Sequence, residues 1–185
     1  MNRIVFDPGH GGIDPGAVGK LNGVEICEKD LALAIALEAA DWLAAKPDYH
    51  VEVTRDCDIA KGELSLEDRV TFSDRHKADL FVSIHCNAIA PPVAQGFEVF
   101  HYKWSGEGWT AANAVFRAIA KGIPEIAPRS VKPAGFYVLR CTAAPAILVE
   151  CGFMTDPNDL KLMADKAFQK RYGAAIAQGV INYFA

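Results

Sequence analysis

Residues 3–12, RIVFDPGHGG, decide the fold, because an apolar run there passes straight into a glycine-rich turn that carries a histidine. Ile4, Val5 and Phe6 are consecutively apolar, the mark of a strand covered on both faces. His10 to Val24 then holds five glycines and one proline, the composition of a shaped loop. From Glu28 to Ala45, Leu31, Ile35 and Trp42 recur among alanines at helical spacing, and Pro47 stands just past the end. Strand, loop and long helix in that order open an α/β domain.

The alternation continues along the chain. Val51 to Thr54 reads as a strand, and Ser65 followed by Asp68 as the N-cap of a helix through Val70 and Phe72. DLFVSIH, residues 79–85, is the next buried strand. Gly96 to Tyr102 alternates as another. Trp109 to Lys121 is helical and ends at Gly122 and Pro124. Gly135 to Leu139 and Ala146 to Glu150 are expected as two further strands, and Lys166 to Phe184 as a closing helix. No repeat or low-complexity linker interrupts the pattern, so a single domain over residues 1–185 is expected.

Composition narrows the function classes. With 185 residues, 51% of them hydrophobic, the chain can bury a sizeable core. A formal charge of -4 and a pI near 5.7 leave no basic footprint, which argues against a nucleic-acid partner. Five cysteines without a C-x-x-C pair fit synthesis in a reducing cytoplasm. The first residues lack the basic start and apolar core of a secretory signal, and charges such as Glu38 and Asp41 interrupt the apolar segments, so no membrane span is expected.

Four side chains carry the candidate chemistry. His10 sits among Gly9, Gly11 and Gly12, on backbone that lets a ligand approach closely. A phosphate cradle competes there, but no Walker lysine and hydroxyl residue follow. Glu28 opens the first long helix, where the helix dipole favours any carboxylate, and Glu25 and Asp30 are rivals nearby. His85 leaves the carboxyl end of a buried strand, the usual crevice position in an α/β sheet. Beside it, Asn87 could orient a ligand, while strand alternation turns Cys86 away. Glu150 emerges from an apolar run, and burial of that kind raises a carboxyl pKa toward the range of a general base and acid. Two histidines, a carboxylate and a spare carboxylate suggest a hydrolytic zinc centre. Trp104, Trp109 and Tyr102 could line a groove, and Arg140 and Lys132 could meet substrate carboxylates. None of these five is assigned to the site.

The segments IVFDPGHGGIDPGAVG (residues 4–19), LFVSIHCNA (80–88) and VKPAGFYVLRCTAAPAILVECGFMTDPNDLKLM (131–163), with Glu28, VTR at 53–55 and Arg69, resemble the zinc-dependent N-acetylmuramoyl-L-alanine amidases of the Amidase_3 group. The resemblance runs from Ile4 to the last helix. It implies a mixed, mostly parallel central sheet of about six strands with helices on both faces. It implies one zinc ion held by His10, Glu28 and His85, with Glu150 moving protons. The reaction implied is hydrolysis of the amide between N-acetylmuramic acid and L-alanine in peptidoglycan or a muropeptide. Autoinhibited relatives carry a long helical insertion after the strand matching residues 96–102. Only residues 103–108 stand there in this chain, so an open, endolysin-like site on a monomer is expected, acting on the wall after release or within a longer chain. Two other readings compete: a catalytically inactive wall-binding module of the same fold, and a cysteine hydrolase using Cys86 or Cys151.

Overall fold

Strand ends converge on one edge of the sheet in the computed structural model, which describes residues 1–90 and 94–185. In chain order the elements are β1 (Asn2–Pro8), β2 (Val18–Leu21), β3 (Val24–Cys27), α1 (Glu28–Ala44), β4 (Tyr49–Val53), α2 (Leu66–Arg75) and β5 (Leu80–Asn87). There follow β6 (Phe97–Tyr102), α3 (Gly106–Gly122), β7 (Pro128–Ala134), α4 (Tyr137–Cys141), β8 (Ala146–Phe153), α5 (Pro157–Met163) and α6 (Lys166–Phe184). Six strands form one sheet in the order β4-β1-β5-β8-β6-β7. The first four run parallel, β6 runs antiparallel to β8, and β7 runs parallel to β6. The mixed, mostly parallel sheet expected from the sequence is therefore present.

Alternation along each strand divides the core in two. Ile4, Phe6, Val82, Ile84 and Val149 belong to the larger cluster, packed with Leu31 and Ile35 of α1, Val115 of α3 and Ile176 of α6. Val5, Phe81, Ala146 and Leu148 face the other way, with Val70 of α2 and Val138 of α4. The same alternation puts Asp7, Ser83, His85 and Glu150 on this second face. Its two helices are short, so the carboxyl ends of β1, β5 and β8 open into a cleft there. Among the described residues, no helix is long and apolar enough to cross a membrane.

Three local expectations need correction. The strand expected over Gly135 to Leu139 is the short helix α4, and the strand lies earlier, at Pro128–Ala134. Pro128 and Pro133 argue against a central strand, but β7 is an edge, where a missing N–H breaks no ladder. Val138 and Leu139 are buried, and so short an apolar run does not by its periodicity distinguish helix from strand. The glycine-rich loop also contains the β2–β3 hairpin, turned at Asn22 and Gly23 with φ of 50° and 83°. Helix α5, which the alternating pattern did not separate, starts where Asp156 accepts the N–H groups of Asn158 and Asp159.

Candidate metal centre

His10, Glu28 and His85 meet at the head of the cleft, each offering one ligand atom within 4.8 Å of the others. Glu28 Oε1 lies 3.0 Å from His10 Nε2 and 2.9 Å from His85 Nδ1. Neutral rings do not meet all the demands of this arrangement. Both nitrogens of His10 face carboxylate oxygens, because Nδ1 also donates to Asp14 Oδ2 at 2.7 Å, and only the doubly protonated ring serves both. Burial lowers the His10 pKa, but hydrogen bonds and charge from Glu28 and Asp14 outweigh it and raise the group to about 9. Burial works against the Glu28 carboxylate as well, yet the two imidazoles hold it well below the usual range. In the metal-free protein a proton thus supplies the positive charge that this donor set demands. Two imidazoles and a carboxylate converging on one point are a donor set that fits a divalent ion.

The chain fixes each donor separately. Glu28 opens α1, where its Oε2 accepts the Ala17 N–H and its Oε1 the Cys86 N–H, both at 2.9 Å. His10 has a φ of 59°, in the left-handed region where residues other than glycine are strained. Two buried arginines hold it there by its neighbours' carbonyls. Arg69 donates to Pro8 O and His10 O, each at 2.7 Å, and pairs with buried Asp7 at 2.6 Å. Arg55 donates to Gly9 O at 2.8 Å. Thr54 and Ser83 complete the shell around the Asp7 carboxylate, each at 2.7 Å. Asp14, Asp7, Arg55 and Arg69 were not assigned roles from the sequence, although all four lie in stretches that carried the resemblance.

Gly9 leaves room for the His85 ring. A methyl group at that position would stand 2.3 Å from His85 Cε1 and 2.5 Å from Nε2, well inside contact distance. The Gly9→Ala variant is therefore expected to keep its fold but tilt the imidazole, lowering metal affinity by about 10- to 100-fold, the range for disturbing a ligand's orienting shell. Titration of divalent metal into the metal-free variant checks this, and an affinity equal to wild type refutes it.

Glu150 faces the same cleft, as the register partner of His85 on the adjacent parallel strand. Its Oε2 is buried and has no hydrogen-bond partner among the described residues. Burial, reinforced by the charges of Glu28 and Glu98, outweighs the opposing effect of His85 and His10 and pushes the carboxyl up to about 7. Such a group can both accept and donate a proton near neutrality.

The cleft has a volume of about 430 Å³ and is bounded by Asp14, Glu63, Leu66, Phe136 and Tyr137. The rival carboxylates Glu25 and Asp30 point into solvent. Cys86 and Cys151 are buried, and desolvation raises both thiols well above their ordinary pKa, which disables them as nucleophiles. Trp104 and Trp109 are exposed beyond the end of β6, and since β6 opposes β8 they lie away from the triad. The short β6–α3 connection leaves the sheet at that same far end.

Comparison with known proteins agrees with this geometry. The family model for N-acetylmuramoyl-L-alanine amidase, Amidase_3, matches residues 4–182. The chain is 30% identical over 226 residues to the N-acetylmuramoyl-L-alanine amidase AmiA of Escherichia coli, covering 98% of this chain and 75% of that protein. It is 34% identical over 189 residues to the endolysin of Bacillus phage SPP1, covering 97% of this chain and 65% of the relative. The solved structure of the amidase AmiC2 of Nostoc punctiforme superposes with a TM-score of 0.90 at 38% identity, over 99% of this chain and 97% of that one. Fold, site and sequence agree: the chain belongs to the N-acetylmuramoyl-L-alanine amidase family.

Proposed function

We propose that residues 1–185 form one catalytic domain that hydrolyses the amide between N-acetylmuramic acid and the L-alanine of the stem peptide, with one zinc ion held by His10, Glu28 and His85. The observation that carries the reading is the placement of Glu150 in register with His85, so that a carboxyl of raised pKa shares a cleft with three convergent metal donors. Family membership supplies the reaction, and the cell wall is where it occurs.

A zinc ion bound in that triangle supplies Lewis acidity, lowering the pKa of water to about 7 and polarising a carbonyl. The chain's own residues do the rest. Asp14 holds Nδ1 of His10 and so turns Nε2 toward the ion. The main-chain N–H groups of Ala17 and Cys86 fix the Glu28 carboxylate. Glu150 takes the proton from the attacking water as the carbon–oxygen bond forms. It then returns that proton to the alanine nitrogen as the carbon–nitrogen bond breaks, giving a lactyl carboxylic acid and a free amine.

Removal of metal tests the reading. Treated with a chelator and dialysed, the protein should release no new L-alanine amino termini from a defined muropeptide, and added zinc should restore the release. Full activity in protein shown by elemental analysis to be metal-free refutes the reading.

A further inference from the structure

Not every buried carboxylate serves the reaction. Glu98 on β6 is the register partner of Glu150, so both project from the same face of the sheet. Only 3% of Glu98 reaches solvent, and its Oε1 accepts hydrogen bonds from Arg129 Nε and, at 2.6 Å, from Lys132 Nζ, both on β7. One carboxylate balances one cation. The trio therefore keeps a net positive charge, carried by side chains that are 35% and 42% exposed.

The two cations are not equivalent. Arg129 also donates to Gln95 O and lies over the ring of Phe153. Lys132 has no other polar partner among the described residues and stands 5.9 Å from the centroid of Phe100. Phe100 in turn meets Phe136, a wall of the cleft, edge-on at 5.4 Å. An aromatic pair thus connects the cleft to Lys132. The cleft lining itself includes the acids Asp14 and Glu63, whereas Lys132 and Arg129 stand on β7, two strands beyond the strand of Glu150.

The geometry points to Lys132, held by Glu98, as a specificity-determining subsite that binds a carboxylate of the stem peptide on the leaving-amine side of the scissile bond. This rests on the amidase reading above. The glycan half of the substrate is neutral near the bond, whereas the peptide half carries carboxylates, and Glu150 protonates the amine of that half. Adjacent strands lie about 4.8 Å apart, which puts β7 roughly 10 Å from the strand of Glu150. An extended chain covers that distance in about three residues. The carboxylate is then either the free α-carboxylate of a γ-linked second residue or the side-chain carboxylate of a diacidic third residue.

Four muramyl tripeptides with amidated C-termini separate these sources, with the second residue's α-carboxylate free or amidated and the third residue either lysine or diaminopimelate. Wild type should favour one free-acid form over its partner by about tenfold in kcat/KM, a charge-assisted hydrogen bond's worth. Lys132→Met should erase that preference, chiefly through KM, and Lys132→Arg should keep it. Arg129 keeps Glu98 paired in both variants, and their melting temperatures report whether the fold is intact. A preference lost at the second residue assigns the subsite there, and one lost at the third assigns it there. No preference in wild type, or the same preference in Lys132→Met, overturns the subsite. Failure of wild type to cleave any of the four overturns the amidase reading instead.

Discussion

Glu150→Ala is expected to keep its metal and lose its turnover, with kcat falling by about 10²- to 10⁴-fold, the contribution of a positioned proton-transfer group. The separation follows from the structure. Glu150 touches none of the three donors by hydrogen bond, and Glu28 is oriented by backbone N–H groups that the substitution leaves in place. Metal content equal to wild type together with lost release of L-alanine termini is the expected pair of results, and unchanged kcat removes Glu150 from the reaction.

The isosteric Glu150→Gln variant adds a stability signature. In the metal-free protein burial raises this carboxyl from an ordinary value of 4.5 to about 7, so the folded state prefers the protonated form. Its contribution to stability is fully present below pH 4.5 and is lost as pH rises through about 7, where the folded protein must ionise a buried group. Glutamine never ionises. The variant should therefore melt above wild type at pH 8, with the gap closing toward pH 4.5, as read from thermal unfolding of the two metal-free proteins across that range. A gap that stays constant with pH means that Glu150 is not held in the raised state. A site residue that costs stability in this way fits the trade of stability for function at active sites.

How much of this was legible depended on the range of each interaction. The runs Ile4 to Phe6, Leu80 to Ile84 and Ile147 to Val149 declare buried strands through local pattern alone, and the residues at or near their ends mark the cleft. Glu28 did not declare itself, because a glutamate in the first turn of a helix is favourable without any metal. Asp14 was hidden for a related reason. Its contact with His10 spans only four residues, but a loop with no periodicity must fold back through the Gly11–Asp14 bridge to make it. The clamp of Arg55 and Arg69 joins residues 46 to 62 positions apart, and such pairings leave no trace in one sequence. At β7 and α4 the reading failed because an apolar run as short as Tyr137 to Leu139 does not by its periodicity distinguish helix from strand, and the edge strand before it carries two prolines and little apolar pattern.

Removing either histidine should abolish metal binding rather than weaken it. In the proposed site each imidazole supplies one of three protein donors, so the loss should exceed the 10- to 100-fold typical of an outer partner, and activity should fall to background. The choice of substitution matters at His10. With φ at 59°, alanine would retain the backbone strain, whereas glycine adopts that conformation freely, so His10→Gly isolates the loss of the ligand. Arg55 and Arg69 grip main-chain carbonyls of residues 8–10, and those contacts survive the change. The loop should then keep its shape while losing the donor. His85→Ala removes the second imidazole from a strand whose backbone pairing is unaffected. Asp14→Ala should give the intermediate result, a 10- to 100-fold weaker site, because it frees the His10 ring without deleting it. Metal content after dialysis, measured beside circular dichroism of the metal-free proteins, orders the set: wild type, then Asp14→Ala, then the two histidine variants with none. Stoichiometric metal in His10→Gly would place the ion elsewhere and remove the physical basis for the role given to Glu28.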